Sequence, residues 1–258
     1  MSRARQLIVN ADDFGFTRDV NAGIIEAHQR GIVTAATLMS TGAAFADAVE
    51  LARAHPALDV GCHLVLVGAP GLPATVAALA AAVAAKRLPI LDILRSQVEK
   101  IMRAGLRPTH ADTHKHTHLL PPVFEAVARV AEEFGIPWVR RPLPAPWFAR
   151  VLERIPARYG LRMTDHFAGF RLTGRFGAAE LVRMIERLPP GLTEFMCHPG
   201  RCTEELRRAP TRLKESRQRE VAALTAPEVR DALGASGVRL VSFRELSGAD
   251  PRTGAVLV

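Results

Sequence analysis

The sequence predicts an α/β protein in which parallel strands alternate with helices in a wound sheet or a barrel. Short β-branched runs alternate with longer segments of helical periodicity, beginning in the order strand, helix, strand, helix. The 258 residues are 48% hydrophobic, which is enough for a substantial core. Repeated βα units of this length place functional groups at the carboxyl ends of the strands.

Each element follows from a local pattern. The predicted strands cover residues 7–10, 34–40, 59–67, the stretch leading to His114, 137–140, 193–197 and 238–243. The predicted helices cover residues 20–30, 45–54, 76–86, 90–104 and 123–134, with charged helices between 204 and 235. The proline-rich run 142–146 is interpreted as a loop and not as a hinge. The whole chain, residues 1–258, is therefore predicted to be a single domain.

The basic character of the chain does not predict a nucleic-acid partner. Of the 34 basic residues behind the formal charge of +8, 30 are arginine, and they are spread along the sequence. Only the segment 201–219 is dense, and its acids alternate with its bases, which favours a solvated helical face over a nucleic-acid patch. Aromatic residues make up 5%, so few stacking platforms for single strands exist.

The sequence favours a cytoplasmic protein without a membrane span. Its three cysteines lack the spacing of a disulfide framework or a zinc finger. The amino-terminal residues enter a short apolar strand directly, without the pattern of a signal peptide. The longest apolar run, residues 72–85, contains a proline and is shorter than the roughly 20 residues that span a bilayer.

A histidine-rich segment gives the first functional indication. Histidines and an aspartate occupy only even positions there, namely His110, Asp112, His114, His116 and His118. Alternate side chains of an extended strand lie on one face, so an extended segment would direct this column at one point. Such a column suits a divalent metal. The alternative, a loop of solvated histidines, is less favoured because a polar loop rarely needs four imidazoles.

Polar residues also end or interrupt other predicted strands. Asp12 and Asp13 follow Asn10 shortly before Gly15, His63 interrupts an apolar run, and His198 precedes a Pro-Gly stop. Each has a structural alternative, respectively a helix N-cap, a hydrogen-bonded core histidine and a simple strand end. Four strand ends that carry such residues make convergence on one site the economical hypothesis. The remaining histidines, His28, His55 and His166, are given structural roles.

Two imidazoles and one carboxylate leave open positions on a metal for water and substrate, as in metal-assisted hydrolysis or oxygen chemistry. Hydrolysis is favoured because a second carboxylate lies beside the first. One aspartate would bind the metal while the other removes a proton from the attacking water, and a histidine would protonate the departing amine. Asp12 as the base and His198 as the acid are the predicted pair. Both aspartates share one site only if the chain turns near Gly15.

Five motifs, in order, resemble the YdjC-like carbohydrate deacetylases. They are Asn-Ala-Asp-Asp-Phe-Gly at 10–15, Asn-x-Gly-Ile-Ile-Glu at 21–26, Gly-x-His-Leu at 61–64, Thr-His-x-Asp-x-His-x-His-x-His at 109–118 and Cys-His-Pro-Gly at 197–200. The resemblance implies an irregular TIM-barrel-like fold related to polysaccharide deacetylases. It also implies hydrolysis of an acetamido group on an amino sugar with one divalent cation, Mg²⁺ by preference and Zn²⁺ in some members.

Site roles follow from the same resemblance. It assigns the metal to Asp13, His63 and His114, the general base to Asp12, and a place in the catalytic pocket to His198. Supporting or substrate-facing roles fall to Asn10, Asp112, His116 and His118. The sequence departs from the family pattern at residues 67–90, where many members carry a longer insertion. The resemblance therefore does not identify the acceptor sugar.

Other functions and assemblies also stay open at the sequence level. The rival functions are a related hydrolase of another amide or a phosphoester, and a non-catalytic sugar-binding protein. A homodimer is compatible with the charged helices late in the chain. Aromatic residues proposed to line a sugar surface, with core packing as the alternative, are Trp138, Trp147, Phe148, Phe167 and Phe170.

Overall fold

The computed structural model of the chain describes residues 3–143 and 149–248. Its strands are β1 (Arg5–Phe14), β2 (Ala35–Leu38), β3 (Asp59–Leu64), β4 (His110–Thr113), β5 (Trp138–Val139), β6 (His166–Ala168), β7 (Gly191–Cys197) and β8 (Arg239–Leu240). Its helices are α1 (Arg18–Arg30), α2 (Phe45–Ala54), α3 (Val76–Ala84), α4 (Ile90–Arg103), α5 (Pro121–Glu133), α6 (Ala149–Arg158), α7 (Ala178–Glu186), α8 (Glu204–Arg208), α9 (Glu215–Leu224), α10 (Pro227–Ala235) and α11 (Phe243–Leu246). This alternation confirms the predicted α/β class.

The first of two compact units comprises Met1–Ala36, Gly42–Asp59 and Thr164–Val258. Strand β1 is its centre and pairs in parallel with β7, from Arg5 opposite Gly191 to Ala11 opposite Cys197. Strand β8 pairs with β1, and β6 pairs with β7, again in parallel. The apolar run 7–9 of β1 is fully buried, as a strand covered on both faces requires.

The second unit comprises Thr37–Thr41 and Val60–Met163, so the boundary divides β2. Strand β4 pairs in parallel with β3 and β5. The register places His63 opposite Asp112. Helix α4 buries one face, with Leu94, Val98 and Ile101 almost inaccessible to solvent, in keeping with its apolar residues at helical spacing.

Most predicted elements exist with small shifts at their ends. Helix α2 matches its predicted bounds, whereas β1 continues past residue 10 to Phe14. The last predicted strand shrinks to β8 because the Ser242 side chain accepts a hydrogen bond from Glu245 N–H and starts α11. Four elements lacked a recognised sequence pattern: α6, β6, α7 and α11.

The predicted histidine column is wrong. Strand β4 ends at Thr113, and residues 114–119 form a 3₁₀ segment. Inside it Lys115 and His116 have φ values of 54° and 52°, a left-handed conformation that no extended strand contains. Even spacing therefore does not place His116 and His118 on the face of Asp112.

The prediction of a solvated helical face over the charged segment 201–219 is also wrong in part. Arg217 of α9 is only 1% exposed, and the adjoining Glu220 is fully buried. Alternation of charges is typical of a surface helix, but it does not show which charges have partners inside the protein. Most of the other charged side chains of the segment are exposed or half-buried.

Membrane insertion through a helix finds no support in the described ranges. No helix within 3–143 or 149–248 is long and apolar enough to cross a bilayer.

Candidate functional site

In the first unit, the carboxyl end of β1 buries three polar side chains that the sequence singles out. Asn10, Asp12 and Asp13 are all less than 5% exposed. The amide Nδ2 of Asn10 donates to Oδ1 of Asp12 at 3.0 Å. This contact fixes one oxygen of the Asp12 carboxylate and leaves Oδ2 for other partners.

The predicted turn after these residues begins at Asp13 itself. Asp13 has a φ of 69° and Gly15 a φ of 92°, and the N–H of Phe16 donates to the Asp13 carbonyl at 3.0 Å. Asn21 of α1 accepts from the Gly15 N–H at 2.6 Å and donates to the Ala44 carbonyl at 3.1 Å. A left-handed aspartate costs on the order of 1 kcal/mol, and strain of this kind is concentrated at functional sites.

A buried arginine holds the Asp13 carboxylate. Nη2 of Arg217 donates to Oδ2 of Asp13 at 2.5 Å, and both side chains are at most 5% exposed. Nε of Arg217 donates to the Leu213 carbonyl, one turn earlier in the chain, at 3.3 Å. The guanidinium therefore compensates the buried charge of Asp13 and restricts its orientation.

His198 follows directly after β7. Its Nε2 lies 4.0 Å from Oδ2 of Asp12, and its imidazole is only 12% exposed. Its backbone N–H donates to Oε2 of Glu220 at 2.5 Å. The base and acid predicted from the sequence are thus neighbours in one unit.

Glu220 is a buried carboxyl group with a raised pKa. Burial raises its pKa from the ordinary 4.5 to about 7, while hydrogen bonds from the N–H groups of His198 and Gly174 oppose the rise. Arg217 also opposes the rise, and the charge of Asp12 adds to it. Glu220 thus stands in the electrostatic surroundings of the Asp12 and Asp13 pair.

In the second unit, His63 and Asp112 form a buried pair. Nδ1 of His63 lies 2.6 Å from Oδ1 of Asp112, and neither side chain is more than 2% exposed. The other oxygen, Oδ2, accepts from Arg140 Nη2 at 2.7 Å and from the Thr37 hydroxyl at 3.1 Å. Both oxygens of Asp112 therefore have partners, and the contact at Oδ1 favours the His63 tautomer that carries its proton on Nδ1.

The second ring nitrogen of His63, Nε2, faces His114. Nε2 of His63 lies 3.3 Å from Nδ1 of His114, with the rings nearly perpendicular at a centroid distance of 5.4 Å. Two imidazole nitrogens that converge, with the far nitrogen of one ring bound to a carboxylate, are the donor arrangement of a histidine metal site. The residues of this unit therefore fit a divalent cation.

Gly61 explains why the Gly-x-His motif needs a glycine. A Cβ atom at Gly61 would lie 2.5 Å from the His110 carbonyl oxygen and 2.6 Å from Nε2 of the same residue. His110 is buried, and its Nδ1 lies 2.9 Å from the Thr109 hydroxyl. His110 thus packs directly against β3 at Gly61.

His118 has a structural role in the 3₁₀ segment, and the His116 ring contacts it edge to face. The Thr113 hydroxyl accepts from the backbone N–H of His118 at 3.0 Å and lies 2.8 Å from its Nδ1. The His116 and His118 rings meet edge to face at 5.6 Å, and the Phe124 ring lies 5.6 Å from that of His118. These contacts stabilise the turn that follows His114.

Two groupings of the predicted residues therefore exist, one in each unit. The first unit brings together Asn10, Asp12, Asp13 and His198, and the second brings together His63, Asp112 and His114. The sequence reasoning missed the residues that hold these groups, which are Arg217, Glu220, Thr37 and Arg140. No motif separates these four from ordinary surface or strand positions, because only their burial marks them.

Among the aromatic candidates, Trp138 is buried, and the guanidinium of Arg162 lies 4.0 Å from the centre of its ring. It belongs to the core and does not line a sugar surface. Phe170 is 45% exposed and Phe167 half-buried. Trp147 and Phe148 lie outside the described residues.

The fold and these groupings define an α/β protein of parallel strands whose strand ends carry buried aspartates and histidines. The chain belongs to the family described as YdjC-like protein, whose model matches residues 6–235. A carbohydrate deacetylase of Geobacillus stearothermophilus is 36% identical over 93% of this chain and 98% of its own length. A carbohydrate deacetylase of Brevibacillus brevis is 35% identical over 93% and 99%.

A solved structure agrees with the fold. A protein of Enterococcus faecalis V583, named for cellobiose-phosphate cleavage, aligns with a TM-score of 0.80 over 94% of this chain and 99% of its own. The two sequences are 27% identical. This alignment confirms the predicted TIM-barrel-like α/β class, to which the parallel β1–β7 and β3–β4 pairings also belong.

Proposed function

We propose that this protein is a metal-dependent hydrolase that removes the N-acetyl group from an acetylated amino sugar and releases acetate. The substrate class is an oligosaccharide or glycoconjugate that contains N-acetylglucosamine. The observation that carries the proposal is the convergence of His63 and His114 nitrogens at 3.3 Å, with Asp112 on the far side of His63. Such a pair is built to hold a cation.

The relatives support the general activity. Two curated proteins that match this chain over more than nine-tenths of their length are named carbohydrate deacetylases. Deacetylation of an amino sugar breaks a carbon–nitrogen bond that is not a peptide bond. The chain is accordingly a hydrolase of carbon–nitrogen bonds, and its substrate is a sugar.

For the metal we propose Asp13, His63 and His114 as ligands and Mg²⁺ as the ion, with Zn²⁺ as the alternative. The described residues include groups of acidic and histidine side chains that could hold an ion. Carboxylate oxygen suits Mg²⁺, whereas the two imidazoles also suit Zn²⁺. When bound, the ion would polarise the acetyl carbonyl and lower the pKa of a water molecule.

The protein's own base and acid would then be Asp12 and His198, respectively. Oδ2 of Asp12 is the oxygen that Asn10 does not engage, so we assign to it the proton of the attacking water. Nε2 of His198, 4.0 Å away, would donate a proton to the leaving nitrogen. Two groups this close can act on the same amide, one on the water that attacks its carbonyl carbon and the other on its leaving nitrogen.

The test is acetate release from a panel of N-acetylglucosamine oligosaccharides by metal-stripped protein refilled with Mg²⁺, Zn²⁺, Mn²⁺ or Co²⁺. We expect release with at least one metal and none with the stripped protein. The Asp12→Asn variant should keep metal binding in calorimetry and lose at least 99% of the turnover. Asp231→Asn, at an exposed position of α10, is the matched control and should behave as the parent protein.

Each rival predicts a different result. A phosphoesterase would release phosphate from aryl phosphates and no acetate from any sugar. A non-catalytic module would bind sugar with the same affinity before and after Asp12→Asn and turn over neither substrate. Full acetate release by Asp12→Asn would overturn the assignment of the base while leaving the activity in place.

A further inference from the structure

Helix α9 carries two buried charges that belong to none of the five motifs. Arg217 and Glu220 are three residues apart, so they lie on one face of the helix. Both are at most 1% exposed, although the neighbouring Gln218 and Arg219 are exposed. A surface helix does not need buried charges, and each of these has a partner in the group around Asp12.

Glu220 binds the main chain at His198. Its Oε2 accepts from the His198 N–H at 2.5 Å, and its Oε1 accepts from the Gly174 N–H at 3.0 Å. Both carboxylate oxygens are therefore committed to backbone donors. A carboxylate with both oxygens hydrogen-bonded fixes the backbone of His198, the residue that follows β7. It thereby fixes the point from which the His198 side chain extends.

The segment after His198 is held from two further directions. The Gly200 N–H donates to the Arg217 carbonyl at 3.2 Å. On the other side, α1 approaches so closely that a Cβ atom at Gly23 would lie 2.3 Å from the Gly200 Cα. Residues 198–200 thus lie between α1 and α9 with little room to move.

Arg217 binds the second functional group of this unit. Its Nη2 donates to Oδ2 of Asp13 at 2.5 Å, while its Nε is anchored on the Leu213 carbonyl. The backbone of Asp13 is in the left-handed region, which is unfavourable for an aspartate without tertiary contacts that hold it there. The fixed guanidinium supplies such a contact and orients the carboxylate through Oδ2.

We propose that Glu220 and Arg217 are positioning residues for the hydrolysis: Glu220 places His198, and Arg217 places the Asp13 carboxylate. The proposal rests on the proposed function and adds two residues to its machinery. One helix then sets both the proton donor and one metal ligand. The rival explanation is that the two charges only stabilise the fold, and it predicts a loss of stability with no effect on the folded enzyme.

Glu220→Gln tests the first half. Glutamine is isosteric but has only one acceptor oxygen, so it must lose one of the two backbone bonds. The assay runs at pH 8, above the pKa of Glu220, with Gln218→Ala as the control on the exposed face of α9. We expect kcat to fall about ten- to a hundredfold while KM and metal affinity stay within twofold. NMR of the His198 amide and imidazole should show shifted signals in this variant.

Arg217→Lys tests the second half. Lysine keeps the charge but cannot reproduce the planar guanidinium contact with Asp13. We expect metal affinity, measured by calorimetry with Mg²⁺ and with Zn²⁺, to fall about ten- to a hundredfold. If this variant does not fold, Glu220→Gln still decides the part that concerns His198, and Asp13→Asn in the intact Arg217 background shows whether the carboxylate that Arg217 holds is needed for metal affinity.

The outcomes separate the two proposals. An inactive parent protein on every sugar and metal refutes the function alone, because the NMR and calorimetric readouts do not need turnover. Unchanged His198 signals and unchanged kcat in Glu220→Gln overturn the positioning role of Glu220. A lower melting temperature with normal kcat per folded molecule in Glu220→Gln and normal metal affinity in Arg217→Lys assigns both residues to the fold and overturns both positioning roles.

Discussion

Oδ1 of Asp112 lies 2.6 Å from Nδ1 of His63, and Nε2 of the same ring faces His114 at 3.3 Å. Because Arg140 and Thr37 engage the other oxygen, the carboxylate cannot turn away from the histidine. The contact fixes both the tautomer and the direction of the imidazole, which are the two properties that a metal ligand requires.

Asp112→Asn should weaken metal binding about ten- to a hundredfold, because the amide is neutral and turns its NH₂ toward one set of donors. Calorimetric titration of the metal-stripped variant with Zn²⁺ measures the effect. The same substitution at Asp92, whose side chain is 74% exposed, is the control and should leave affinity unchanged. Equal affinities for the two variants would show that Asp112 has no influence on the ligand.

His114→Gln should abolish stoichiometric metal binding, whereas His116→Gln should retain it within about threefold. The reason is that His114 faces Nε2 of His63, while His116 stacks on His118. Both positions are half-buried and belong to the same 3₁₀ segment, so each variant is the control for the other. Metal analysis of the dialysed proteins gives the stoichiometry. A normal metal content in His114→Gln would move the ligand role to another residue.

The alternation of elements could be predicted because apolar periodicity reports burial directly. Helix α2 shows this, since its bounds follow from sequence alone. The end of β4 could not be predicted, because His114, Lys115 and His116 have no residue type that marks a left-handed turn. Neither residue with positive φ there is glycine, and the hydrogen bonds of Thr113 with His118 help to stabilise that turn.

Candidate site residues can be selected from the sequence where a polar residue type coincides with a strand end. Asp12, Asp13, His63 and His198 are polar residues at the ends of apolar strands, and such residues stand out in any sequence. Arg217 and Glu220 lie among many exposed charges of 201–220, where burial decides their roles and the sequence carries no sign of it. Long-range partners of this kind become visible only with the fold.

Glu220 should make the stability of the protein depend on pH between about 4.5 and 7. Its pKa is higher in the folded state, so the folded protein retains a proton that the unfolded chain releases. The free energy of unfolding should therefore decrease as pH rises through this window, by about 3 kcal/mol in total from this residue. The Glu220→Gln variant has no titratable group at this position, so it should lose this pH dependence of the free energy of unfolding.

The measurement is urea unfolding of the parent and of Glu220→Gln at pH 4.5, 5.5, 6.5 and 7.5. The difference between the two proteins isolates Glu220 from every other titrating group. The free energy of unfolding of the variant should rise relative to that of the parent protein as pH rises, and the difference should level off above about pH 7. A constant difference across the series would mean that Glu220 titrates normally in the folded protein.

Gly61→Ala should destabilise the protein by about 1–3 kcal/mol, because the added Cβ would lie 2.5 Å from the His110 carbonyl oxygen. Backbone cannot yield as a flexible side chain does, so β3 must shift against β4. The control is Gly234→Ala in α10, where the added Cβ meets nothing within 4 Å beyond the adjoining residues and backbone of its own helix, and helix propensity predicts a gain of about 0.5–1 kcal/mol. Denaturant unfolding followed by circular dichroism compares the two. A stable Gly61→Ala variant would show that the close approach of His110 to β3 is not required, and with it the explanation of the Gly-x-His motif would fail.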